Sequence, residues 1–66
     1  MYKNNYILEA AIKDTAVIAT LNGESNLDVI MDMSRQTVEG LHLQNNLSRD
    51  RVRVLVLEGI AEGMRN

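Results

Sequence analysis

Between Leu27 and Leu43 apolar and polar residues separate cleanly by angle. At about 100° per residue, Leu27, Ile30, Met31, Ser34, Thr37, Val38 and Leu41 share one side, and Asp28, Asp32, Arg35 and Glu39 take the other. That spacing predicts an amphipathic helix over 26–44, with an outer side that is mostly acidic. Gly40 lowers helix propensity by about 1 kcal/mol relative to alanine, so the helix is expected to fray after Glu39.

The segment 5–21 is apolar around more of its circumference. Ile7, Ala10, Ala11, Val17, Ile18 and Leu21 form a broad predicted face, widened by Leu8 and Ile12, with Glu9, Lys13 and Thr20 opposite. Asp14 falls inside the apolar arc. A carboxylate there belongs at an edge or a kink, or else it is buried against an arginine, because an unpaired buried charge is costly. The run "TAVIATL" also reads as a strand, with Asn22-Gly23 turning a short β-hairpin. The residues "ESN" that follow do not continue the alternation.

The third segment, "RDRVRVLVLEGIAEGM", is the most ambiguous. As a strand it alternates for about seven residues and leaves "EGIAEGM" unexplained. As a helix over 48–64, Val52, Val56, Gly59, Ile60 and Gly63 form one stripe flanked by Leu55 and Met64, while Arg51, Glu58, Glu62 and Arg65 gather on the far side. The helix accounts for the whole stretch. Two polar breaks, "NGES" and "QNNLS", separate the three segments. Ser25 or Asn26 suits the N-cap of the second helix and Ser48 that of the third, with Asp28 and Asp50 in the favourable first turns. Gly23 and Asn46 suit the left-handed positions that close the preceding helices.

Size changes how this pattern is understood. A chain of 66 residues buries only about 60% of the surface it exposes when unfolded, so its own core is marginal. Small domains usually add disulfides, a metal or a second subunit. Cysteine is absent and His42 is the only histidine, which leaves oligomerisation. With no Pro, Trp or Phe, the interior must be Leu, Ile, Val, Met and Ala. The expected object is one all-α domain over 1–66, three helices, homodimeric. No apolar run approaches the roughly 20 residues that span a bilayer, and the N-terminus lacks the apolar core and cleavage site of a signal peptide. No membrane association and a cytoplasmic setting are therefore expected. A formal net charge of −2 supplies no general attraction to nucleic acid or anionic lipid.

Catalytic chemistry finds little support. Ser34 lies two helical turns from His42, beyond the reach of a nucleophile–base hydrogen bond. The glycines at 23, 40, 59 and 63 match no phosphate-binding loop. Asp28, Asp32 and Glu39 form an acidic stripe, not a sequestered pair with divergent environments. Neither an enzyme nor a cofactor or metal site is expected.

Two features carry the functional expectation. Gly59-x-x-x-Gly63 lowers the ridge of the third helix and admits a close neighbour, which is either the first helix or a second subunit. The expected packing or dimer surface is thus Val52, Val56, Gly59, Ile60 and Gly63. The other feature is "NLSRDRVRVL", in which Ser48 precedes Arg49, Arg51 and Arg53. It resembles the start of a recognition helix in helix-turn-helix DNA-binding proteins, with Leu41, Leu47, Val52 and Leu55 at the apolar positions. His42 stands where that pattern has a small alanine, and Asn45 where an apolar residue is common. The resemblance implies DNA contacts by Ser48, Arg49, Arg51 and Arg53. "LSRDRVRVLVLEGI" is also similar to the second helix of ribbon-helix-helix repressors, whose DNA-reading strand would then be the aspartate-bearing "NLDVIMDM". The favoured expectation is a non-catalytic protein-interaction module that regulates or inhibits a macromolecular partner as a homo-oligomer, with Asp28, Asp32 and Glu39 as an acidic partner face. DNA binding is the alternative. Met31, Met33 and Met64 add adaptable contact surface, or fill the core.

Overall fold

Helix α1 spans Asn5–Leu21, α2 Leu27–Gly40 and α3 Arg49–Arg65, in a computed structural model that describes residues 5–43 and 46–66. No strand occurs among the described residues, and 15–21 and 49–57 are both helical. The all-helical, three-helix architecture is therefore present.

Local chemistry sets the boundaries. Asn26, in extended conformation, accepts hydrogen bonds through its side-chain oxygen from the amides of Asp28 (2.9 Å) and Val29 (3.3 Å), and so starts α2. Ser48 does the same for α3, accepting from the Arg51 amide at 3.1 Å. At the end of α1, Gly23 adopts φ +96°. Its amide then donates to the Thr20 carbonyl and that of Glu24 to Ala19, the double closure of a Schellman motif.

The end of α2 meets the expected weakening after Glu39 but not the expected extent to residue 44. The helix stops at Gly40, and the left-handed residue is His42 (φ 59°), not Asn46. The His42 amide donates to Glu39 and the Leu43 amide to Val38, so the closure is again of Schellman type. It ends here because this register brings Leu43 back onto the core beside Val38; stopping near Asn46 would have carried the helix on past that contact. Gln44, the expected end of α2, lies outside the described residues.

Eight apolar side chains form the core: Leu8, Ile12, Ala16 and Ala19 from α1, Ile30 and Val38 from α2, Leu55 and Val56 from α3. The amphipathic reading of α2 holds, with Ile30, Ser34 and Val38 buried; Leu41 alone is turned out, at 55% exposure. The face expected for α1 requires correction. Leu8 and Ile12 are buried as expected, but Ile7, Ile18 and Leu21 are exposed at 51%, 58% and 55%; Ala16 and Ala19 are buried in their place, and Lys13 and Thr20, expected opposite, lie against α3. With apolar residues on most sides, periodicity could not choose the face. The choice falls to the side whose small residues let α3 approach. Asp14 is exposed, so the buried carboxylate–arginine alternative does not hold.

Gly59 and Gly63 define that approach. A Cβ at Gly59 would lie 2.4 Å from the Lys13 carbonyl oxygen and 2.6 Å from Ala16 Cβ. One at Gly63 would meet Thr20 Cβ at 2.9 Å and the Val17 carbonyl at 3.1 Å. Moving four residues along α3 advances four along α1, so these helices run parallel where they touch. Gly59 and Gly63 face Ala16 and Thr20 at the same i, i+4 spacing. Only a residue without a side chain fits there.

Candidate functional site

Each surface of the body follows from which side of α2 it flanks. On one flank α2 meets α1 through short polar side chains. Ser34, fully buried, donates to the Ile12 carbonyl at 3.4 Å. Thr15 donates to the Ala11 carbonyl at 2.7 Å and its hydroxyl lies 3.2 Å from that of Thr37, which itself donates to Met33 O at 3.0 Å. Outside this contact the rows continue at helical spacing. Ile7 and Ala11 precede Thr15 on α1, and Ile18 follows it; Val29 and Met33 precede Thr37 on α2. Leu41 keeps the register, its amide donating to the Thr37 carbonyl. Ile7, Ile18, Val29, Met33 and Leu41 are all exposed.

On the other flank α2 and α3 diverge and leave an open groove of about 500 Å³. Ile12, Met31, Val38, Leu47 and Val52 form its apolar floor, and Asp28, Asp32, Arg35 and Arg49 its charged rim. Asp28, Asp32 and Glu39, expected as an acidic face, lie along this outer side of α2, all exposed. Arg35 interrupts them. It pairs with Asp32, which also accepts from Gln36 at 3.1 Å; the hydrogen bond to Asp32 and the charge of Asp32 raise the guanidinium pKa, with a smaller contribution from the charge of Glu39. The stripe is thus an ion pair flanked by Asp28 and Glu39, the latter adding to the negative charge that Arg35 feels.

The expected packing residues come together on one seam. Val56 (0% exposed), Gly59 and Gly63 are buried against α1, with Val52 and Ile60 half-buried beside them. Both glycines are occupied within the chain. Leu55 is buried with the seam, but Met64 is 75% exposed and does not join it.

The arginines expected to act together are dispersed. Arg51 turns to α1 and donates to both carboxylate oxygens of Glu9, at 3.1 and 3.3 Å, which raises its pKa. Arg49 lies on the groove rim. Arg53 is exposed, and Ser48 is engaged as the N-cap. The Glu9–Arg51 pair, 42 positions apart in the chain, carried no local sequence signal. Residues 41–48 separate α2 from α3, longer than the three or four residues of a helix-turn-helix turn.

Among the described residues no group of three or more His, Cys, Asp or Glu side chains could hold a metal ion, and no helix is long and apolar enough to cross a membrane. No protein-family model, curated protein or solved structure matches this chain.

Proposed function

We propose that this chain is a small non-catalytic protein-interaction module of the cytoplasm, which regulates or inhibits a macromolecular partner by occupying its surface. The observation that carries this reading is the groove between α2 and α3. An apolar floor supplies binding energy by excluding water, and a rim of a few convergent charges fixes orientation, the usual composition of a recognition site. Among the described residues neither Asp28 nor Glu39 forms an ion pair, which favours a segment carrying apolar side chains and positive charge. Binding by the α3 arginines to DNA is less well supported, since Arg51 is directed at Glu9 and away from Arg49.

The test is capture of partners from the native host by the wild-type chain and by a variant carrying Asp28→Lys, Asp32→Lys and Glu39→Lys. A partner retained by the wild type and lost by the variant, with helicity unchanged, supports the groove. A retained partner that is indifferent to these charges removes it.

A further inference from the structure

We propose that the outer face of α3 pairs with the same face of a second copy of this chain, the two helices lying side by side and parallel. Val54, Leu57, Ala61 and Met64 recur at intervals of three, four and three residues, the a and d positions of two successive heptads. All four are exposed, Val54 at 43%, Leu57 at 45% and Met64 at 75%. At about 100° per residue their stripe is centred roughly 160° from Gly59 and Gly63. A copy seated on it therefore meets α3 from the side away from α1. None of the four lines the groove beside α2, so this surface and the proposed partner site are separate.

Charge selects the occupant and its direction. In a parallel pair of helices the g residue, just before an a position, faces the e residue five further on in its partner, and these flanking charges set partner and orientation. Here they are Arg53 and Glu58. Two copies related by a two-fold axis along the helices thus form the Arg53–Glu58 pair twice, once on each side of the apolar stripe. Both side chains are exposed, and among the described residues neither forms an ion pair within the chain. Antiparallel pairing centred on the same four residues sets Glu58 against its own copy instead. Asp50 occupies the preceding d position and would meet its own like across the axis. The seam therefore runs from Arg53 to Arg65, and the helices part before it.

A single helix this short is marginal in water, but α3 is already held helical by its glycine seam with α1, so pairing requires no helix nucleation. The covered length is about 18 Å at 1.5 Å per residue. That places the interface in the small class, under about 1,200 Å² in total, and makes the dimer a weak one that depends on concentration.

Sedimentation velocity from about 10 µM to about 1 mM tests the pairing, with far-UV circular dichroism confirming that each variant remains helical. The wild type is expected to dimerise within this range. Leu57→Glu should abolish the dimer, Asp50→Asn should strengthen it several-fold, and Ile18→Glu on the exposed side of α1 should leave it unchanged. Arg53→Glu alone and Glu58→Arg alone each set like charges across both sides of the axis and should weaken it roughly ten-fold. Mixed together, these two variants restore both opposite-charge pairs and should form a heterodimer of wild-type strength. A wild type that is monomeric up to 1 mM overturns the proposal, as does a dimer that survives Leu57→Glu or is lost with Ile18→Glu. A mixture that associates no better than either charge variant alone overturns the parallel pairing.

Discussion

Against α3, helix α1 presents Lys13, Ala16, Val17 and Thr20 to a partner stripped of side chains at Gly59 and Gly63. Against α2 it presents one hydroxyl, that of Thr15, and one carbonyl, that of Ile12, with exposed aliphatic rows continuing beyond them. The first seam is closed: its backbones are so near that a methyl group has no room. The second is open at its outer edge and leaves apolar surface uncovered. The difference shows where a small chain concentrates its cohesion. Two glycines sacrifice roughly 2 kcal/mol of helix propensity between them, and in exchange α3 settles deeply enough to bury Leu55 and Val56 against Leu8 and Ile12. The side of α1 turned away from that seam is then left with Ile7, Ile18 and Leu21 in water.

The largest expected effect breaks the closed seam. Gly59→Ala brings its methyl against a backbone carbonyl, which cannot rotate away, and should cost about 3 kcal/mol despite the better helix former. Thermal denaturation should register a fall of more than 10 °C, given about 4–8 °C per kcal/mol in domains of this size. Gly63→Ala meets Thr20 and a carbonyl less closely, at 2.9–3.1 Å, and should cost about 1–2 kcal/mol. Equal losses at the two positions would mean that the approach of the helices is uniform along the seam.

A third substitution improves the same seam. Thr20 Oγ1 is buried there without a hydrogen-bond partner. Thr20→Val keeps the branched shape and removes the orphaned hydroxyl, so urea denaturation should show a gain of about 1 kcal/mol. A loss would mean that the hydroxyl is satisfied in solution. The smallest effect belongs to a glycine outside both seams. Nothing approaches within 4 Å of a Cβ at Gly40, so Gly40→Ala should stabilise by somewhat less than 1 kcal/mol, through helix propensity alone. The opposite signs at Gly59 and Gly40 separate packing from propensity in one chain.

These elements were not equally legible in the sequence. α2 could be located because its apolar and charged residues fall on opposite sides, and its N-cap because Asn26 accepts hydrogen bonds from the next turn. α3 followed from the glycine spacing, which a strand cannot explain. The buried face of α1 could not be chosen, since Ile7 and Ile18 are as apolar as Leu8 and Ile12; the decision rests on where α3 can come close, a tertiary fact. His42 carries no terminator signal in the sequence, because residue type favours glycine or asparagine there, whereas the return of Leu43 to the core decides the position. Of the candidate surfaces, the acidic side of α2 was readable from helical periodicity. The groove beside it, the dispersal of Arg49 and Arg51, and the bare α1–α2 edge all depend on how the helices dock.

Whether Gly59 and Gly63 are filled by the chain's own α1 or by another subunit can be measured directly by following Gly59→Ala and wild type through a hundred-fold dilution, recording both the melting temperature and the association constant. An intramolecular seam lowers the melting temperature by the same amount at every concentration and leaves association unchanged, because stability gained from a partner scales with its concentration. A melting difference that vanishes on dilution, together with a weakened association constant, would place the glycines between subunits and contradict the closed seam within one chain.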